Sequence, residues 1–308
     1  MVKKTFKSLD EQIQILRSKG LIIKDEEKTK EVLLRENYFF ISGYRHLFML
    51  NNNRYFIFGT TFEELYATFL FDRGIRNIMF KYILVVENNI KSIISYQLSK
   101  KYGFKEEDYL NTKNYNQDIL KQRQVNDVIE KMKRQIRVNG RKHKATLHYI
   151  NNYGYIPMWI LVKVLSFGII AELYAILKET DQSSISNFYE LDIDTLKTNL
   201  YILANFRNLC AHEDILYDHR TQKNIKDTNF HYLLDIPKYD DEYIYGKNDL
   251  FALVIILKQM LTDVQFREFI YEVGYEIDIL DGRVNTVSLI DILNKIGFPS
   301  NWRDIVNF

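Results

Sequence analysis

The sequence predicts an all-α protein, a bundle of long helices with helical extensions at both ends. Three observations carry that expectation. Apolar residues recur at intervals of three and four along most of the chain, the spacing of one buried helix face. Only three prolines occur, Pro157, Pro237 and Pro299, so little interrupts a long helix. Apolar residues make up 46% of the 308, enough to bury a sizeable core.

The elements follow in order. "LDEQIQILRSKG" sets Leu9, Ile13 and Leu16 on one face and stops at Gly20. "KDEEKTKEVLLRENYFF" reads as a second helix with an acidic first turn, which suits the positive end of the helix dipole. At Thr61 a capping box begins, because Glu64 follows three residues later and each side chain can bind the other's backbone amide. The helical pattern from there runs to Gly103, as one very long helix or as two broken near Gly74. "NQDILKQRQVNDVIEKMKRQIRVNGRKHK" is a polar, basic helix ending near Asn139 and Gly140. Pro157 opens "PMWILVKVLSFGIIAELYAILKET", expected as one strongly apolar helix. "DIDTLKTNLYILANFRNLCAH" is the next, with Asp192 or Asp194 as its N-cap. Residues 221–247 are polar and irregular. "NDLFALVIILKQMLTDVQFREFI" and "SLIDILNKIG" are helical again, around a short hairpin at "YEIDILDGRVNTVSL". The expected organisation is an N-terminal helical segment over 1–58, a helical core over 59–220, and a mainly helical appendage over 221–308.

Charge and cysteine content narrow the function. There are 42 basic and 40 acidic residues, so any basic surface must come from local clustering. Cys210 is the only cysteine, which excludes an intrachain disulfide and a four-cysteine zinc site, and suits a reducing cytosol. The start "MVKKTFKSLDEQIQ" has no apolar run of signal-peptide length, and "IPMWILV" is far too short to span a bilayer. A cytoplasmic protein with no membrane partner is expected.

The residues that can carry chemistry gather in "NFRNLCAHEDILYDHR". Arg207 and His212 are the leading pair, although their spacing is cheap: Arg137 with His143 and Arg141 with His148 have similar ones. Context favours Arg207. It lies one turn before the end of a helix whose other face is apolar (Leu196, Leu200, Tyr201, Leu203, Ala204), and Asn208 beside it can orient a partner. Residues five apart on a helix lie roughly 140° from each other. The two therefore meet only if the helix unwinds near Ala211 or a second protomer supplies half the site. The plainer alternative makes Arg207 a cap on the helix C-terminus. Cys210 reads as a packing residue rather than a nucleophile. His212, Glu213, Asp214, Asp218 and His219 match no compact zinc spacing, so neither a metal nor another cofactor is expected, although Asp214 or His219 can tune His212. Glu87 and Lys91 are one turn apart: a surface pair, or a support for Arg207 if their helix packs on its own. The dense basic run holds Lys131, Lys133, Arg134, Arg137, Arg141, Lys142 and Lys144, with Tyr149, Tyr153 and Tyr155 close by. It is either a solvated face or a strip for phosphates with rings for bases.

"FRNLCAH" resembles the R-N-x-x-x-H signature of the HEPN superfamily of helical ribonucleases, and the remainder is similar to its AbiD/AbiF-type abortive-infection branch. Three more stretches carry the resemblance in the same order: "LRSKGLIIKDEEKTKEVLLRENYFFISGYRHLF" with its "SGYR" block, the F-D-x-x-x-R helix beginning "FGTTFEELYATFLFDRGIR", and "YIPMWILVKVLSFGIIAELYAIL" with Pro-Trp and Ser-Phe-Gly. Together they cover roughly residues 9 to 217. The chain departs from the pattern at Val164, where a glutamate is common. The resemblance implies phage defence through a metal-independent endoribonuclease. His212 would be the acid/base, Arg207 the phosphate clamp and Asn208 the orienter, with Glu87, Lys91 and Asp214 in support. It also implies a homodimer that pairs two motifs, and RNA as substrate or as structured non-coding partner. The alternatives are a non-catalytic RNA-binding module paired with a small structured RNA, and an antitoxin-controlled toxin whose target is not RNA.

Overall fold

The computed structural model describes residues 5–50 and 54–308. It is all-α. The helices are α1 (Leu9–Ser18), α2 (Glu26–Glu36), α3 (Tyr38–Gly43), α4 (Phe62–Tyr102), α5 (Glu106–Tyr109), α6 (Gln122–Asn139), α7 (Lys144–Tyr153), α8 (Met158–Val164), α9 (Phe167–Ile176), α10 (Glu179–Ser186), α11 (Ile193–Ala211), α12 (Asn229–Leu233), α13 (Leu250–Met260), α14 (Asp263–Asp281) and α15 (Leu289–Ile296). Among the described residues no helix is long and apolar enough to cross a membrane.

The axis is α4, 41 residues and about 60 Å long, with α8, α11 and α14 packed along it. It starts where the sequence places it. Thr61 and Glu64 form the capping box, and the chain passes Gly74 without a break. The Glu276 carboxylate of α14 lies where a Cβ on Gly74 would stand, so the glycine serves close approach rather than a kink. Glu64 does a second job. Its carboxylate accepts hydrogen bonds from the Asn285 and Thr286 amides, each at 2.7 Å, and so ties the chain after α14 to the start of α4.

Four boundaries differ from the sequence reading, each for a local reason. The second helix stops at Glu36, because Asn37 takes φ 66° and starts α3 as its N-cap. The single apolar helix after Pro157 is two helices, since Ser166 leaves helical geometry and accepts from the Ile169 amide. Thr262 splits α13 from α14 in the same way, with Gln265 completing a capping box. The expected hairpin over 275–289 does not form. Val273, Ile277 and Leu280 keep helical spacing and are buried, so α14 continues to Asp281. A two-stranded hairpin, β1 (Lys238–Tyr239) and β2 (Glu242–Tyr243), lies instead in the stretch expected to be irregular. Its turn residues Asp240 and Asp241 both have positive φ, the backbone of a tight hairpin turn.

Candidate functional site

The site is built at the C-terminal end of α11. Asp192 is the N-cap, accepting from the Thr195 amide. Leu196, Leu200, Leu203 and Phe206 are fully buried, while Tyr201, expected on the same face, is substantially exposed. The helix stops at Ala211, and His212 is its C-cap, its amide donating to the Asn208 carbonyl. Glu213 then takes φ 56° and turns the chain, so that the Asp214 amide bonds back to the Leu209 carbonyl. Asn208, His212 and Asp214 are exposed; Arg207 is half-buried.

One stripe of α4 holds this end in place. Asp72, Arg76, Phe80, Leu84, Glu87 and Lys91 recur every three or four residues along it. At the stripe's start Asp72 and Arg76 form an ion pair at 3.0 Å, both side chains nearly sealed from solvent. Asp72 also accepts from the Tyr44 hydroxyl at 2.7 Å and from the Leu216 amide at 3.1 Å. Arg76 donates to the Asp214 carbonyl at 2.9 Å. The pair therefore clamps the turn that follows His212. Burial pushes the Asp72 carboxyl up to about 6, against the pull of the Tyr44 hydroxyl, the Leu216 amide and Arg76. Burial likewise raises the Tyr44 phenol. Gly43 completes the clamp, because a methyl there would overlap the Ile215 side chain. The "SGYR" and F-D-x-x-x-R blocks thus meet around the turn. Sequence reasoning noted both as motifs and missed what Tyr44, Asp72 and Arg76 do.

Further along, Glu87 turns to α11. Its Oε2 stands 3.5 Å from Arg207 Nε, its Oε1 accepts from Lys91 at 2.6 Å, and it is 5% exposed. The Arg207 guanidinium lies 5.9 Å from the centre of the Phe80 ring. Glu87 and Lys91 are thus a buried pair engaged with Arg207, not a surface pair. Arg207 reaches across to α4, not back to the last carbonyls of its own helix, where the cap reading put it. At 3.5 Å the Arg207–Glu87 contact is too long to be a hydrogen bond, and neither of its two facing atoms has another partner. No hydrogen bond joins Arg207 to His212. The helix does end at Ala211, with His212 as its C-cap.

Beside Glu87 and Lys91, a cleft of about 630 Å³ opens between α4 and α8. His143, Trp159 and Lys163 line its other walls. This joins the basic run to the site, since His143 lies between Lys142 and Lys144. The run itself is not one strip. Lys131 pairs with Glu172 of α9 at 2.6 Å and Lys133 with Glu130 at 2.8 Å. Arg134, Arg137, Arg141, Lys142 and Lys144 are exposed, with no ion pair among the described residues.

Cys210 is 6% exposed and packs in the core, and burial pushes its thiol up to about 12. His219 Nε2 donates to Asn205 Oδ1 at 2.7 Å, and its ring meets the Phe206 ring edge-on; burial lowers its pKa. It is thus engaged away from His212. Among the described residues no three His, Cys, Asp or Glu side chains gather in a geometry for a metal ion.

The long central helix carries a buried Asp-Arg clamp beside the Arg207–His212 helix end of an all-α protein. The model of the family described as "Abi-like protein" matches residues 31–218, and the chain belongs to that abortive-infection family. The match takes in both the clamp and the helix end and begins after α1. Comparison with curated proteins and with solved structures gives no match.

Two outcomes test this arrangement. Arg76→Ala leaves Asp72 buried without its counter-charge and is expected to lower unfolding free energy by about 3–5 kcal/mol in urea titration. The double replacement Asp72→Leu with Arg76→Met is expected to lose less, since no charge is stranded. Cys210 is expected to resist iodoacetamide at neutral pH in the native protein and to react within minutes once the chain is unfolded, as followed by intact mass.

Proposed function

We propose that the protein acts on RNA in phage defence, as a metal-independent endoribonuclease of HEPN type belonging to the AbiD/AbiF branch. The observation that carries this reading is the contrast at the end of α11. A guanidinium is anchored by a buried carboxylate, and an imidazole stands exposed one residue past the same helix. In this reading Arg207, always charged, holds the scissile phosphate and stabilises charge on the pentavalent intermediate. His212 takes the proton from the 2′-hydroxyl as its oxygen attacks phosphorus, or delivers a proton to the departing 5′-oxygen. Asn208 orients the phosphate, Glu87 and Lys91 set the position of Arg207, and Asp214 biases His212.

Because no hydrogen bond joins Arg207 to His212 within one chain, the active form in this proposal is a homodimer that brings two motifs together, working in the cytoplasm. The other reading, a non-catalytic module for a small structured RNA, draws on the exposed Arg134, Arg137, Arg141, Lys142 and Lys144.

Purified protein is expected to cut total RNA in EDTA and to leave 2′,3′-cyclic phosphate ends. Arg207→Ala and His212→Ala are each expected to abolish cutting, with the double variant no worse, because both serve one step. Asn208→Ala is expected to lose less. Tight RNA binding by wild type without any cutting would favour the module. Light scattering is expected to give a dimer at micromolar concentration; a monomer that cuts at full rate would remove the shared site.

A further inference from the structure

The rings around the cleft are not scattered. Tyr149 and Tyr153 of α7 lie 5.3 Å apart, centre to centre, and Tyr153 lies 6.4 Å from Tyr155. Tyr155 meets Phe104 at 5.8 Å, and Phe104 meets Trp159 at 5.3 Å. A continuous row of rings therefore runs from α7, over the turn at Gly154, to Trp159 at the mouth of the cleft. Tyr153 is 57% exposed and Trp159 42%. Cations flank the row. Lys105 sits over the Tyr155 ring at 5.2 Å, Arg141 and Lys142 precede α7, Lys144 opens it, and Lys163 follows Trp159 by one helical turn. Of the nearby carboxylates, Glu106 accepts from the Ile156 amide and Asp108 from the Lys105 amide. At the inner end, Lys91 has one partner and Glu87 Oε2 has no hydrogen bond.

We infer that this row and the cleft form a track for single-stranded RNA, with Trp159 stacking a base at the mouth and Lys91 and Lys163 holding the neighbouring phosphates. The physical case rests on complementarity. Stacked rings accept any base but need it unpaired, and the cations beside them match a phosphate backbone. A duplex hides its base faces and cannot use the rings. Glu87 connects the track to Arg207, so a strand seated in the cleft ends beside the guanidinium. The inference rests on the RNA reading above and adds the form of the RNA and the residues that grip it.

Trp159 reports on the idea directly, because the other tryptophan, Trp302, is 2% exposed. The probe is an oligouridylate of roughly ten nucleotides, within the span of known single-strand sites. It is added to the His212→Ala protein so that no cutting intervenes. Tryptophan fluorescence is expected to fall on binding, and a blunt adenine–uracil duplex is expected to leave it unchanged. Trp159→Leu is expected to weaken binding on the order of tenfold or more, and Trp159→Phe, which keeps a ring, to restore most of it. Arg141→Gln and Lys142→Gln are each expected to flatten the salt dependence by about 0.7 in log–log slope. Circular dichroism and thermal midpoints establish that each variant is folded. Absence of quenching, or a folded Trp159→Leu that binds as tightly as its parent, overturns the track. Quenching without cutting by wild type keeps the track and removes the nuclease; cutting with no dependence on Trp159 does the reverse.

Discussion

The buried pair of Asp72 and Arg76 is the constraint around which the rest is arranged. Two charges one helical turn apart have been taken out of water, and such burial is tolerated only when hydrogen bonds use their remaining capacity. Here the partners come from distant parts of the chain. Tyr44 arrives from the segment before α4, and the Leu216 amide and Asp214 carbonyl arrive from the turn after α11. Satisfying one ion pair therefore fixes three segments against each other. The turn it fixes is the one that presents His212. What two short motifs at opposite ends of the matched region have in common is this shared hydrogen-bond geometry.

The two leading side chains are treated differently by the fold. Arg207 is held by Glu87 from a neighbouring helix and shielded on one side by Phe80, whereas His212 stands free in solvent. A cation paired with a buried carboxylate beside an exposed imidazole fits the proposed reaction, in which a phosphate must stay still while protons move. The long Arg207–Glu87 contact fits the same division. A guanidinium locked in an ideal bidentate pair would have little left to give an incoming phosphate; Arg207 keeps 30% of its side chain exposed while its Nε is buried against Glu87.

Much of this was legible in the sequence where local chemistry settles it. The Thr61–Glu64 box and the Asp192 cap follow from side chains bonding to backbone a few residues away. Periodicity made the chain helical but could not decide where apolar helices divide. Ser166 and Thr262 are caps hidden inside unbroken apolar runs, and their hydroxyls could equally have faced solvent. The roles of Asp72 and Tyr44 were out of reach for a different reason. Their partners lie 144 and 28 residues away from Asp72, and no spacing rule spans such loops. The same limit divided the basic run. Lys131 looks like its neighbours in sequence, yet Glu172 on another helix takes it out of the strip. Phe104, which completes the row of rings, carried no signal beyond being aromatic, and Trp159 stood out only as part of its motif.

The length of α4 has a consequence for how this family can vary. Each residue of a helix turns the chain by about 100°, and from Asp72 to Lys91 there is no loop in which an inserted or deleted residue could be absorbed. A single-residue gap there would swing Glu87 and Lys91 away from Arg207 and the cleft while leaving Asp72 and Arg76 clamped. Length change is thus confined to the connections, such as residues 110–121 between α5 and α6. Divergence within the stripe must proceed by exchange of side chains at constant spacing.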